Sequence, residues 1–312
     1  MTFEAAAAKA PAHEHRLAGV LLASAGAIAF SGKAIVVKLA YRYGVDAVTL
    51  IMYRMLFALP LFLCLAAWAG RGRPRLTWVD RRLLIGLGVT GYYLSSFLDF
   101  GGLEYINANL ERLILYLNPT FVLTLSVLLF RAKVLRQQWL ALAVSYVGVL
   151  VVFAHDLSVS GSHVALGSLL VLGSAFCYAL YLVFSGQAVK RLGALRITGV
   201  ATSIAATVCI GQFFILRPVS AMAVAHPVIW LSVLNATLCT FLPVVLVMLA
   251  VERVGATVVA QTGNIGPLST VGLSILVLHE PLTLWLAIGT LLVLLGIWLL
   301  VRRPQPAAAG GR

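Results

Sequence analysis

Charged residues are scarce in this sequence, and acidic residues are the scarcest of them. Only 11% of the 312 residues are charged, whereas soluble domains average about 25%. Hydrophobic residues make up 61%, and the mean hydropathy is +1.00. A soluble domain of this length has no way to bury that much apolar surface. The composition therefore excludes an ordinary globular protein and indicates a membrane protein.

Motifs that carry enzyme chemistry are absent as well. The sequence has no HExxH, GxSxG or P-loop pattern, and its histidines lack metal-ligand spacing. The four cysteines all lie in apolar runs and form no CxxC pair, so we interpret them as small apolar fillers. We therefore expect no catalytic site, no metal and no cofactor. An intramembrane enzyme stays open as an alternative, and it would convert its substrate in detergent.

Apolar runs long enough to cross a bilayer recur along the whole chain. A hydrocarbon core about 30 Å thick needs roughly 20 apolar residues per helix. The pattern predicts an all-α integral membrane protein with ten transmembrane helices, flanked by tails 1–16 and 302–312. No loop is long enough to form a soluble domain. The predicted spans are 17–40, 46–69, 83–102, 106–130, 137–154, 166–188, 196–216, 227–250, 256–278 and 282–301.

Basic residues favour one side of the predicted membrane. Of the 23 Lys and Arg residues, seventeen fall on the side of both termini, three on the other side and three within spans. The positive-inside rule then places both termini in the cytoplasm and the protein in the inner membrane. The same rule explains the net charge of +13 without a nucleic-acid partner.

The chain repeats itself with a shift of 148 residues. The shift aligns helices 17–154 with helices 166–301, on either side of a predicted outer loop at 155–165. Five helices per repeat, an odd number, place the halves in opposite orientations, which predicts two inverted five-helix repeats. The matching pairs include Glu104 with Glu252, Ala108 with Ala256, Pro119 with Pro267, Ser126 with Ser274 and Gly148 with Gly296.

Five ionisable residues fall inside predicted spans: Lys33, Arg54, Asp99, Glu111 and Arg112. Each costs roughly 2.5–3.5 kcal/mol there, so such residues usually face a bundle interior or a cavity. The predicted topology places all five in the outer half of the membrane, which indicates one cluster. Two interpretations stay open: structural ion pairs, or a substrate or proton site in which Asp99 or Glu111 binds the proton.

Polar side chains also recur at helical spacing on four predicted helices. Such stripes either join helices by hydrogen bonds or line a shared cavity. Pro119 and Pro267 interrupt equivalent helices of the two repeats, which points to a central transport site. The candidate substrate-binding residues are Lys33, Arg54, Tyr92, Asp99, Glu111, Arg112, Tyr116, Asn118, Tyr178, Tyr181, Gln261 and Asn264.

These segments resemble the EamA family of the drug/metabolite transporter superfamily, and more narrowly its ten-helix amino-acid exporters of the YddG type. The segment Arg131-Ala132-Lys133 departs from the pattern, because an acidic residue is typical there. The resemblance implies ten helices, alternating access and the transport of small metabolites. It is carried by Arg54, Ala108, Leu117-Asn118-Pro119-Thr120-Phe121, Gly148, Ala256, Asn264-Ile265-Gly266-Pro267, Leu278-His279-Glu280-Pro281-Leu282-Thr283, Gly289 and Gly296.

The mixed charges of the cluster suit a zwitterion, because basic groups bind a carboxylate and acidic groups bind an amine. We therefore expect a transporter that exports amino acids, with tyrosines beside an apolar or aromatic side chain. The expected partners are this substrate, the lipid bilayer and protons. A phosphorylated or nucleotide-linked metabolite is the alternative substrate, and it would need two or more basic residues that no acid neutralises.

Overall fold

A computed structural model describes residues 12–130, 136–160, 163–254 and 265–301. These residues are helical apart from short turns, and they contain no strand, which confirms the predicted all-α class. The helices are α1 (Ala12–Tyr41), α2 (Ala47–Gly70), α3 (Trp78–Leu87, Gly88–Leu94 and Ser95–Leu103), α4 (Ala108–Leu115), α5 (Asn118–Phe130), α6 (Arg136–Ser160), α7 (His163–Leu192), α8 (Ala194–Leu216), α9 (His226–Ala236, Thr237–Phe241 and Leu242–Val254), α10 (Ile265–Leu273 and Ser274–Leu278) and α11 (Leu284–Val301), with a 3-10 turn at Val219–Met222.

Seven helical segments among the described residues are long and apolar enough to cross a membrane. Three further apolar segments, Leu142–Ser158, Ser269–Leu278 and Leu284–Gly296, are shorter. Large apolar side chains such as Ile215 and Leu276 are exposed, as expected of a surface that faces lipid. The seven segments are Leu17–Tyr41, Ala47–Gly70, Trp78–Leu103, Ala108–Leu129, His163–Ser185, Ala194–Leu216 and His226–Val247. The count of ten spans stays a prediction.

Polar caps define where several helices begin. The side chains of Asp46, Thr77 and Asn107 each accept a hydrogen bond from a backbone N–H in the first turn of α2, α3 and α4. Asp80 completes a capping box with Thr77, so α3 begins five residues before the predicted span. These caps satisfy backbone donors that would otherwise lack partners at the helix ends.

Helices from the two halves of the chain pack closely against each other. In the described part of the chain, α2 packs against α8 and α6 against α11, while α1 contacts α9 and α10, and α7 contacts α3 and α5. Glycine permits the closest approach. A Cβ atom at Gly148 would lie 2.7 Å from the carbonyl oxygen of Gly289, so a larger residue would push α6 and α11 apart.

Three helices contain π-helical turns, at Gly88–Leu94 in α3, Thr237–Phe241 in α9 and Ser274–Leu278 in α10. A π turn widens the helix by one residue and is frequent at functional sites. The turns in α3 and α9 both border the central cavity described next, because Gly91 and Tyr92 belong to the first and Cys239 and Thr240 to the second.

Candidate functional site

A cavity of about 420 Å³ lies inside the helix bundle, between α1, α2, α3, α7 and α9 and the junction of α4 with α5. Its volume falls within the range of roughly 300–1,000 Å³ typical of small-molecule sites. On α1 the cavity follows one face from Lys33 back to Ala23. Eight predicted site residues line it: Lys33, Arg54, Tyr92, Asp99, Arg112, Tyr116, Asn118 and Tyr178.

Lys33 holds two carboxyl groups at one edge of this cavity. Its Nζ atom lies 2.5 Å from Oδ2 of Asp99 and 3.3 Å from Oε1 of Glu111. Asp99 lines the cavity, and its Oδ1 atom has no hydrogen-bond partner among the described residues. The predicted cluster therefore contains a lysine shared by two acids, of which Asp99 lines the cavity.

Glu111 does not line the cavity, although it was predicted as a site residue. Its side chain is fully buried, at 0% exposure, and it lies behind the Lys33 ammonium and beside the Asp99 carboxyl group. Within the described residues neither of its oxygens has a hydrogen-bond partner. Consecutive helical residues point in different directions, so Arg112 reaches the cavity while the Glu111 side chain points away from it, into packed protein.

The two guanidinium groups are not neutralised by an acid within the described residues. Arg54 Nη2 donates to Ser96 Oγ at 2.7 Å, and the group lies 4.5 Å from the Phe100 ring centroid. Arg112 Nη2 donates to Ser31 Oγ at 2.9 Å. Both acids pair with Lys33, so the two guanidinium groups contact hydroxyl groups and aromatic rings of the described residues.

Tyrosines form another part of the cavity wall. Tyr92 packs edge-on against Tyr181 at 5.0 Å, and Tyr178 stacks on Tyr181 at 5.7 Å between ring centroids. Tyr181 itself does not line the cavity, because its side chain lies against Gly91, where an added Cβ atom would come within 2.4 Å of the Cβ atom of Tyr181. Tyr181 thus supports the two tyrosines that do face the cavity.

The junction of α4 and α5 contributes Tyr116 and Asn118. The helix ends at Leu115 and resumes at Asn118, directly before Pro119, where the sequence predicts an interruption. The Asn118 amide donates to the carbonyl oxygen of Ala175 at 2.8 Å, so it also joins α5 to α7. Pro267 lies in the first turn of α10. The predicted site residues Gln261 and Asn264 lie outside the described residues.

Several lining residues were missed by the sequence analysis. Phe30 lies one turn before Lys33 on the same face of α1, and α9 contributes an apolar wall. Applied to the predicted residues, the shift of 148 residues would have found four of them, Phe30, Thr240, Val247 and Gly266, and it relates seven pairs of lining residues in all. These pairs are Ala27 with Ala175, Phe30 with Tyr178, Gly91 with Cys239, Tyr92 with Thr240, Ser96 with Val244, Asp99 with Val247 and Asn118 with Gly266.

Comparison with known proteins shows which family has this arrangement. The model of the EamA-like transporter family matches residues 17–154 and 165–302. The chain belongs to this family, and thereby to the drug/metabolite transporter superfamily. The matched segments cover most of the chain, including all described residues that line the cavity. Membership agrees with a transporter, and not an enzyme, as the class of protein.

Relatives of this EamA-like chain are transporters by name. The uncharacterized transporter YcbK of Bacillus subtilis is 29% identical over 286 residues, which cover 87% of this chain and 89% of the relative. The uncharacterized transporter YvbV of the same organism is 27% identical over 242 residues, 77% of each chain. One solved crystal structure matches with a TM-score of 0.60 at 18% identity, covering 91% of this chain and 97% of that one. This last likeness concerns the fold alone.

Proposed function

We propose that this EamA-like protein is a secondary transporter that moves amino acids, above all those with apolar or aromatic side chains, by alternating access. The observation that carries the proposal is the composition of the cavity wall. Two guanidinium groups without a paired carboxylate, the Asp99 carboxyl group and several aromatic rings line the same space. Each of the three parts of such an amino acid then has complementary chemistry.

The binding of a zwitterion follows from the placement of these groups. The carboxylate of the substrate is attracted to Arg54 and Arg112, because charge-assisted hydrogen bonds to guanidinium are strong in a dry site. The amine lies toward the carboxyl group of Asp99, which lines the cavity. The apolar side chain packs against Phe30 and Tyr178, which both line the cavity and are related by the 148-residue shift.

Alternating access needs two halves that can move against each other around a fixed site. The two family matches begin 148 residues apart (165 minus 17), which equals the shift found in the sequence. The 148-residue shift relates α1 to α7, α3 to α9 and α5 to α10. The helix contacts follow the same relation, because α9 and α10 pack on α1 while α3 and α5 pack on α7. Both observations support ten spans in two inverted repeats with the cavity between them.

The proposed orientation places both termini in the cytoplasm. It is supported by the excess of basic residues on that side. At the other end of the bundle, Arg42 donates to the carbonyl oxygen of Leu278 at 2.9 Å, and Asn109 donates to Glu280 at 2.7 Å. These contacts hold α1, α4 and α10 together there, while the cavity extends toward the N-terminal half of α1. This arrangement suits an inward-facing state that loads substrate for export.

A phosphorylated or nucleotide-linked metabolite is the second candidate substrate. It is favoured by one observation, namely that Asp99 and Glu111 both pair with Lys33 and leave Arg54 and Arg112 without acid partners. A phosphate group needs two or more such cations. The Asp99 carboxyl group favours the amino acid, since it can bind an amine and repels a phosphate.

Counterflow into proteoliposomes tests the proposal. Vesicles with purified protein are loaded with one unlabelled compound and diluted into its labelled form, for a panel of amino acids and phosphorylated metabolites. We expect transient accumulation of labelled apolar and aromatic amino acids, and no conversion of the compounds. Accumulation of phosphorylated compounds alone would replace the first candidate by the second. Conversion of a compound in detergent would contradict transport and favour an enzyme.

A further inference from the structure

The buried carboxyl group of Glu111 has no role in direct contact with the substrate, because its side chain does not reach the cavity. It nevertheless belongs to the charged cluster that forms the cavity wall, at 3.3 Å from the Lys33 ammonium. Lys33 lies closer to Asp99, at 2.5 Å. One ammonium group therefore pairs with two carboxyl groups, and Glu111 has the longer contact.

The surroundings of Glu111 favour a neutral carboxyl group. The side chain is fully buried, and neither oxygen accepts a hydrogen bond from the described residues. Burial without hydrogen bonds penalises the ionised form, and two carboxylates on one cation repel each other. Asp99, in contrast, borders the cavity and holds the shorter ion pair. A proton that enters this cluster is therefore expected on Glu111.

The other charged groups near Glu111 are few. Its neighbours in the cluster are Lys33 on α1, Asp99 on α3 and Arg112 on its own helix. His155 and Asp156 pair with each other at the end of the bundle, where Asp156 also holds Asn107. The packed helices also carry other titratable or charged groups, among them Tyr41 and Lys38 on α1, Arg42 directly after α1, Tyr92 and Tyr93 on α3, Tyr146 on α6, Cys177, Tyr178 and Tyr181 on α7, and Glu280 beside α10; Asp80, Arg81, Arg82, His163, Lys190 and Arg191 lie near the ends of α3 and α7.

We propose that Glu111 is a proton-binding group, and that its proton and the anionic group of the substrate bind to the protein together. The inference rests on the proposed function only in treating the cavity as the substrate site. With both acids ionised, the three cations Lys33, Arg54 and Arg112 leave one net positive charge in the cluster, and protonation of Glu111 leaves two. The proton thus strengthens the field that attracts an anion. Proton and anion then favour each other's binding instead of competing.

Cys239 offers a test that needs no transported substrate. It lines the cavity, on α9. In a variant whose other three cysteines are alanine, Cys239 is modified with an anionic and with a cationic methanethiosulfonate reagent, in buffers from mildly acidic to mildly alkaline. The ratio of the two rates reports the charge of the cavity, because the ionisation of the thiol affects both reagents alike. The matched variant Cys239→Ala gives the background.

We expect the ratio of anionic to cationic modification to rise about tenfold as the buffer is acidified, since one unit of charge changes both rates in opposite directions. In Glu111→Gln the ratio should be high and independent of pH. In Asp99→Asn the pH dependence should remain but move to lower pH, because the neighbouring carboxylate no longer opposes ionisation of Glu111. Glu280→Gln, which removes a carboxyl group at the end of the bundle, should leave the pH dependence of the parent protein unchanged.

Three results would overturn the proposal: a ratio independent of pH in the parent protein, a pH dependence that survives in Glu111→Gln, or one that disappears in Asp99→Asn. If Glu111→Gln does not yield folded protein, Glu111→Asp keeps a titratable group at a new position, and the midpoint of the pH dependence should shift. An unshifted midpoint would then contradict the proposal. The labelling result is independent of whether the counterflow panel contains the substrate, so failure of one proposal is distinguishable from failure of the other.

Discussion

Replacing Arg112 with glutamine should weaken substrate binding while leaving the protein folded. The Arg112 guanidinium lines the cavity and has no carboxylate partner among the described residues. Its loss removes a charged donor to the anionic group of the substrate. The fold should tolerate the change. The Ser31 hydroxyl, which accepts a hydrogen bond from Arg112, can still donate to the carbonyl oxygens of Ala27 and Gly266, each 2.9 Å away.

The size of the effect follows from the kind of contact that is lost. A hydrogen bond to a charged group contributes about 1.5–3 kcal/mol, and each 1.4 kcal/mol changes an equilibrium constant about tenfold. We therefore expect the Kd of Arg112→Gln to rise by roughly 10- to 150-fold. Arg112→Lys keeps the charge but loses the planar fork of donors, so its Kd should lie between that of the wild type and that of Arg112→Gln.

Equilibrium binding of a labelled compound from the counterflow panel to purified protein measures this Kd. The matched control is Arg217→Gln, because Arg217 pairs with Asp46 at 3.3 Å at the end of the bundle, away from the cavity. It should bind like the wild type. The reasoning is refuted if Arg112→Gln binds within about twofold of wild type, or if both variants lose the same affinity while their thermal unfolding is unchanged.

The remaining predictions concern packing, topology and pH. Gly289→Ala places a Cβ atom 2.7 Å from a facing carbonyl oxygen. It should lower the free energy of unfolding by about 1–3 kcal/mol, which thermal unfolding detects as a lower Tm. Gly86→Ala, with nothing within 4 Å, should not. In a cysteine-free background, an impermeant thiol reagent applied outside cells should label Ser160→Cys and not Pro74→Cys; the reverse pattern would invert the proposed orientation. Burial raises the pKa of the Glu280 carboxyl above its ordinary 4.5, so its ionisation is costlier in the folded state. The Tm of the wild type minus the Tm of Glu280→Gln should therefore fall as the pH rises above 4.5. A Tm difference that does not change with pH would contradict this.

Hydropathy was enough to predict the helical class, because long apolar runs leave a membrane chain few other structures. It was less reliable where polar residues begin a helix. The span predicted from residue 83 starts instead at Trp78, since Thr77 and Asp80 form a capping box and the adjacent arginines lower the local hydropathy. The interruption before Pro119 was predictable, because proline cannot supply the backbone donor that a continuous helix needs.

The candidate site was predictable as a set of residues but not as a set of pairs. Helical spacing and depth identified the five charges, yet which acid pairs with which base depends on side-chain directions and interhelical distances. Lys33 pairs with both Asp99 and Glu111, a pairing that spacing along the helices does not reveal. Sequence reasoning from polar stripes also overlooked the apolar wall of α9, because apolar residues on a membrane helix carry no signal of their own.

The proposal that substrate passes through this cavity is tested most directly by filling it. Ala27 lines the cavity on α1, while its neighbour Ile28 is 43% exposed on the outer surface of the bundle. Ala27→Trp places an indole in the cavity, whereas Ile28→Trp adds the same group to the surface that faces lipid. In counterflow assays on proteoliposomes with equal amounts of folded protein, Ala27→Trp should abolish accumulation of the labelled amino acid and Ile28→Trp should retain it. Normal accumulation by Ala27→Trp would show that the substrate takes another path.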